Sequence, residues 1–166
     1  PLVVDLADRA GVPVSFDVNH RSAVWADRDP GPTYRWIAAR AAVVFAGPDE
    51  ARLLTGSAAE DPAELIAAMA EISRGDSVLK LGGDGCLASV GGALLRQPAV
   101  PVTVVDTVGA GDTFSAGILD ALADKRLLGA DRREAIAAMP SDDVAEFARI
   151  DAEFHQLIVA AGDNAI

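Results

Sequence analysis

The chain has 166 residues, 51% of them apolar, enough for one domain, or a piece of one, with a sizeable core. Its 25 acidic against 14 basic residues give a net charge of −11, which removes the attraction that nucleic acid or an anionic membrane needs, so neither partner is expected. A single cysteine, Cys86, cannot form an internal disulfide, and with no basic-then-apolar leader and no long apolar run the chain reads as soluble and cytoplasmic.

In chain order, "LVVDLADRAG" (2–11) looks like the end of a helix stopped at Gly11. With no initiator Met before it, residues upstream are expected. "VPVSFDV" (12–18) reads as a buried strand, "PTYRWIAARA" (32–41) as a helix begun by proline and "AVVFA" (42–46) as a second strand. The turn-rich "DRDPGP" (27–32) is a loop. "PDEARLLTG" (48–56) and "DPAELIAAMAEIS" (61–73) carry proline and acids in their first turns and read as helices. "SVLKL" (77–81) is a strand, and "CLASVGGALLRQP" (86–98) is a hairpin around Gly91-Gly92. This alternation predicts an α/β fold with a mainly parallel sheet, its ligands at the carboxyl ends of strands.

The stretch "VVDTVGAGDTFSAGILDAL" (104–122) sets a β-branched run, a Gly-Ala-Gly turn, Asp112 and an apolar helical pattern in succession. A strand, a glycine turn and a helix with Asp112 in its first turn are expected over 102–124. Glycines 109 and 111 let a ligand approach the backbone. The amides of residues 110–112 fall at a helix N-terminus, where unpaired N–H groups and the helix dipole attract anions. An aspartate in that cradle is useful if it takes the proton of a hydroxyl that attacks a phosphorus held by the amides. The plainer alternative is an acid that only stabilises the first turn of its helix. There is no G-x-x-x-x-G-K-[ST] loop, and Phe114 stands where a dinucleotide fingerprint needs its third glycine, so both of those nucleotide signatures are set aside.

"DTVGAGDTFSAG" (106–117) resembles the C-terminal signature of the ribokinase-like (PfkB) carbohydrate kinases, D-T-x-G-A-G-D-x-F. The resemblance implies a three-layer α/β/α fold. It implies Asp112 as catalytic base, Gly109, Ala110 and Gly111 as the anion hole for the transferred phosphoryl group, and Asp106 and Thr107 on the nucleotide side. "FDVNHRSAVW" (16–25) is similar to the family's D-x-N-x-R strand end, in the form found in 2-keto-3-deoxygluconate kinases. Asp17, Asn19 and Arg21 alternate there, so along an extended strand end they would share one face. Arg21 could hold a carboxylate or phosphate, its alternative being a surface ion pair. "VLKLGGDGCLA" (78–88) resembles the strand–glycine turn–strand beside the nucleotide phosphates, with Gly82, Gly83 and Gly85 permitting close approach and Lys80 reaching a phosphate. Taken alone it is a type I′ or II′ hairpin turn. "FAGPDEARLLTG" (45–56) aligns with the family's N-x-x-E, which organises the water shell of the magnesium ion. Glu50 matches, whereas Gly47 stands at the Asn position. Glu50's alternative is a solvated helix face.

The resemblance covers about residues 1–138, the C-terminal part of such a kinase, with the N-terminal half absent. An exposed edge where that half would pack predicts self-association into a homo-oligomer. Residues 1–139 are therefore read as the kinase portion and 140–166 as an appended segment. In the latter, Phe147, Ile150, Phe154, Leu157, Ile158 and Ala161 make the apolar stripe of one amphipathic helix. It is similar to a helix of the FCD ligand-sensing domain of GntR-type regulators, where a D-x-x-x-H pair supplies two metal ligands. Asp151 and His155 hold that spacing, and a solvated pair on the helix edge is the alternative. The expected activity is transfer of the γ-phosphoryl of ATP, with Mg²⁺, to a primary hydroxyl of a sugar acid, 2-keto-3-deoxygluconate. The rival is a non-catalytic remnant serving as an interaction or ligand-sensing module.

Overall fold

The computed structural model describes residues 2–99 and 109–124. The chain divides into two compact units, Pro1–Pro98 and Ala99–Ile166. Asp106, Thr107 and the strand expected just before Gly109, the segment 140–166, and with it Asp151 and His155, lie outside the described residues.

In the first unit, α1 (Leu2–Ala10) is followed by β1 (Ser15–Asp17), α2 (Ser22–Trp25), α3 (Gly31–Ala38), β2 (Val43–Ala46), α4 (Pro48–Thr55), α5 (Pro62–Ile72), β3 (Asp76–Lys80), β4 (Cys86–Val90) and β5 (Ala93–Gln97). The five strands form one sheet in the order β1-β2-β3-β4-β5. β1, β2 and β3 are parallel, with Asp17 beside Phe45 and Phe45 beside Val78, while β3, β4 and β5 are mutually antiparallel. The sheet is thus mixed where a mainly parallel one is expected, because the short connections after β3 and β4 allow only antiparallel returns. β2 is buried along its whole length, as a continuous Val-Val-Phe-Ala run in mid-sheet demands. Val44, Leu54, Leu65, Ile66, Met69 and Leu79 form the centre of the core, joining β2 and β3 to α4 and α5.

Two local departures from the sequence reading have identifiable causes. The first strand is three residues long, not seven, because its expected start is consumed in ending α1. The Gly11 N–H donates to the Asp8 carbonyl at 3.2 Å and the Val12 N–H to the Ala7 carbonyl at 2.9 Å, with Gly11 at φ +68°, a left-handed helix stop. Beyond Asp17 the backbone leaves the sheet: Asn19 takes φ +38°, and Ser22 opens the one-turn helix α2, an element the sequence does not announce. The β3–β4 connection likewise holds a 3₁₀ turn over Gly82–Asp84 instead of a two-residue hairpin turn. The Gly91-Gly92 hairpin is as expected, both glycines having positive φ (57° and 89°).

In the second unit, α6 spans Ala110–Asp124 and follows Gly109 at φ +77°, with Asp112 in its first turn. Among the described residues no helix is long and apolar enough to cross a membrane.

Candidate active site

The parallel strands β1, β2 and β3 deliver their carboxyl ends to one edge of the sheet, and the loops there carry most of the residues singled out from the first unit. β1 ends at Asp17, and the chain then runs through Asn19, His20 and Arg21. β2 runs into Gly47 and the start of α4, and β3 ends at Lys80 before the glycine turn.

Glu50 ties the first two of these exits together. Its Oε2 accepts from the Gly47 N–H at 2.7 Å and its Oε1 from the His20 N–H at 2.8 Å. The first bond caps α4 from its third residue, and the second reaches thirty residues back to the loop after β1. Glu50 is half-buried and fully engaged, so it is not a solvated helix residue. Replacing Glu50 by Gln leaves one oxygen for two amides and sets an N–H₂ against the other. The expected result is a loss of roughly 1–3 kcal/mol of stability, measurable as a lower urea midpoint.

His20, which no sequence motif marks, is pinned a second time. Its Nδ1 lies 2.9 Å from the Tyr34 hydroxyl. Tyr34 is buried against Phe16 and Trp25, at ring-centroid distances of 5.9 and 5.3 Å. Burial pushes the Tyr34 hydroxyl above its usual pKa and the Glu50 charge adds to this, against a Trp25 hydrogen bond that lowers it. The phenol is therefore protonated at neutral pH. The one signal for this cluster in the sequence is the run of aromatic residues at 16, 25 and 34, which periodicity alone assigns to separate elements.

Asp17, Asn19 and Arg21 do not share a strand face as alternation predicts, because the left-handed turn at Asn19 breaks the period and Arg21 caps α2. Arg21 is exposed and makes no ion pair with a described residue. Asp17 does pair: both of its oxygens accept from Lys80 Nζ, at 2.9 and 2.7 Å, so the lysine expected to face a phosphate is held by a carboxylate from β1.

Lys80 also lines an open depression of about 600 Å³, with Arg52, Gly82, Asp84 and Arg96. Three cations and two carboxylates, Glu60 and Asp84, thus line one hollow, where Arg52 is paired with Asp49 at 2.8 Å and Lys80 with Asp17. Arg52 and Arg96 carry no recognisable motif, and only the fold brings them there. Gly82 and Gly85 have positive φ (58° and 89°), which explains glycine at both. Gly83 does not, and a Cβ built on it would meet no heavy atom within 4 Å. The fold does not require glycine at 83.

In the second unit, Gly109, Ala110, Gly111 and Asp112 are all exposed at the start of α6, so amides and carboxylate are accessible together. A glycine-initiated, fifteen-residue helix offers at its leading amides an anion cradle, and the carboxylate in its first turn can accept a proton. Among the described residues no three His, Cys, Asp or Glu side chains gather as a metal site.

Comparison with known proteins gives one consistent result. The model of the family described as pfkB family carbohydrate kinase matches residues 2–138. The aminoimidazole riboside kinase of Salmonella typhimurium is 35% identical over 111 residues, 66% of this chain and 34% of that protein. The 2-dehydro-3-deoxygluconokinase of Escherichia coli (strain K12) is 35% identical over 115 residues, 66% of this chain and 36% of that protein. The crystal structure of aminoimidazole riboside kinase from Salmonella enterica, complexed with aminoimidazole riboside and an ATP analogue, superposes with a TM-score of 0.66 at 31% identity, covering 81% of this chain and 46% of that one. The chain therefore spans about a third of the length of the curated relatives it matches.

Proposed function

The chain belongs to the pfkB family of carbohydrate kinases, with a ribokinase-like α/β fold, and from that membership we propose that it carries the phosphoryl-transfer machinery of an ATP-dependent sugar-acid kinase. The observation that supports this reading most is Asp112, exposed in the first turn of α6 directly after the left-handed Gly109. In the proposed reaction a primary hydroxyl of the sugar gives its proton to the Asp112 carboxylate as its oxygen attacks the γ-phosphorus of ATP. The amides of residues 109–111 receive the charge that gathers on the transferred group, and ADP leaves. Asp106 and Thr107 belong to the nucleotide side of the same cradle in this reading.

The nucleotide phosphates are assigned to the glycine turn Gly82, Gly83 and Gly85, beside Lys80, Arg52 and Arg96. Mg²⁺ would neutralise phosphate charge there. Glu50 suits it as a partner through water rather than as a direct ligand, since each of its oxygens is already held by an amide and keeps a second lone pair for a bound water. Gly47 adds no side chain to that shell.

The acceptor is assigned to Asp17, Asn19 and Arg21. Relatives of equal identity act on a riboside and on a sugar acid, so the choice between them rests on chemistry. An exposed guanidinium with no described carboxylate partner favours an acceptor that brings its own carboxylate. With 2-keto-3-deoxygluconate (2-dehydro-3-deoxygluconate), Arg21→Gln should raise KM roughly 10-fold or more and change kcat little. With fructose, KM should not move. Equal losses on both sugars, measured by coupled ADP release, would remove the sugar-acid assignment.

A further inference from the structure

An ammonium has three N–H donors, and Lys80 directs two of them to the oxygens of Asp17. The pair spans from β1 to β3 across the intervening strand, and each side chain is only 20% exposed, so water screens it incompletely. Lys80 lines the depression that holds Gly82, Asp84, Arg52 and Arg96, whereas Asp17 is not among the described residues lining it. One partner therefore lines the hollow, and the other fixes it from the end of β1, two strands away.

We propose that Asp17 is a positioning residue for the nucleotide, holding the Lys80 ammonium at the rim of the depression so that its third N–H meets a phosphate oxygen. This rests on the assignment of the nucleotide phosphates to that depression, and it moves the role of Asp17 from acceptor to nucleotide. An unanchored lysine must freeze a flexible four-carbon stem on binding, and the carboxylate does that beforehand. The sign of the effect separates this role from plain electrostatics. Removing a negative charge beside phosphates should tighten nucleotide binding if charge alone mattered. If Asp17 positions Lys80, removing it should loosen binding.

The test is calorimetric titration of the full chain with MgATP, for the wild type, Asp17→Asn, Lys80→Met and the double variant, each checked for its folded circular dichroism. Lys80→Met is expected to weaken binding roughly 10–100-fold and Asp17→Asn roughly 3–10-fold. In the Lys80→Met background, Asp17→Asn should change nothing beyond about twofold, because the group it positions is gone. If Asp17→Asn fails to fold, Asp17→Glu serves in its place: it keeps the charge, displaces the ammonium, and should weaken binding roughly two- to threefold. Unchanged or tighter binding in the Asp17 variants, or additive losses in the double variant, would overturn the proposal alone. Absence of MgATP binding by the wild type would overturn the nucleotide assignment and this proposal with it.

Discussion

Replacing Asp112 by Asn is expected to lower phosphoryl transfer roughly 10²–10⁴-fold while leaving the MgATP dissociation constant within about twofold. Asn keeps the size of the side chain and can still accept a hydrogen bond at the start of α6, but at neutral pH it cannot take a proton. The leading amides of the helix are backbone groups that the substitution does not touch, so the anion cradle persists. The competing account, an acid that merely stabilises its helix, predicts something else: a stability change of about 1 kcal/mol at most and undiminished turnover. Coupled turnover and nucleotide titration on the same preparation separate the two. Full activity in the Asn variant would remove the proposed base.

A second large effect is expected far from any chemistry. A Cβ built on Gly75 would lie 1.9 Å from the backbone oxygen of Ala42 and 2.5 Å from its carbonyl carbon, with no flexible side chain to yield. This approach occurs where β2 and β3 begin side by side, and the next amide, of Asp76, donates to the same Ala42 oxygen at 2.9 Å. Gly75→Ala must push the two central strands apart at their amino ends or break that bond. We expect a loss on the order of 3 kcal/mol, seen as a fall of roughly 10 °C in Tm. A variant melting within about 2 °C of the wild type would mean that the strands part at little cost.

The elements legible in the sequence were those with strong local signals. Proline and acids open α4 and α5, a left-handed glycine ends α1, and an unbroken apolar run makes β2. Paired glycines turn β4 into β5. What could not be read was set by contacts distant in sequence. Nothing near Asp17 says that its carboxylate will meet Lys80, 63 residues later, nor does the N-x-x-E pattern say that Glu50 will hold the amide of His20. The shared face expected of Asp17, Asn19 and Arg21 failed for a local reason. Asn is one of the few residues that enters the left-handed region at small cost, and one such residue ends the alternation on which the expectation rested. The resemblance to the kinase family named Glu50, Lys80 and the glycines without saying what each touches.

The mixed sheet also bears on the order in which the protein assembles. β5 turns back on β4 across two residues and β4 on β3 across five, whereas Ser15 finds Val43 and Val43 finds Asp76 only after 28 and 33 residues of chain. Loop-closure entropy makes each of the long closures costlier than the short ones by roughly 2 kcal/mol, so the three-stranded meander should nucleate and the parallel strands should be recruited to it. β1 then joins last, at the far edge of the sheet. Pulse-labelled amide exchange should accordingly find the Leu87 amide protected before that of Val18, which bonds to the Phe45 carbonyl. A complete chain refolding in this order forms the lysine and glycine turn first, and the carboxylate of Asp17 arrives at an ammonium already in place.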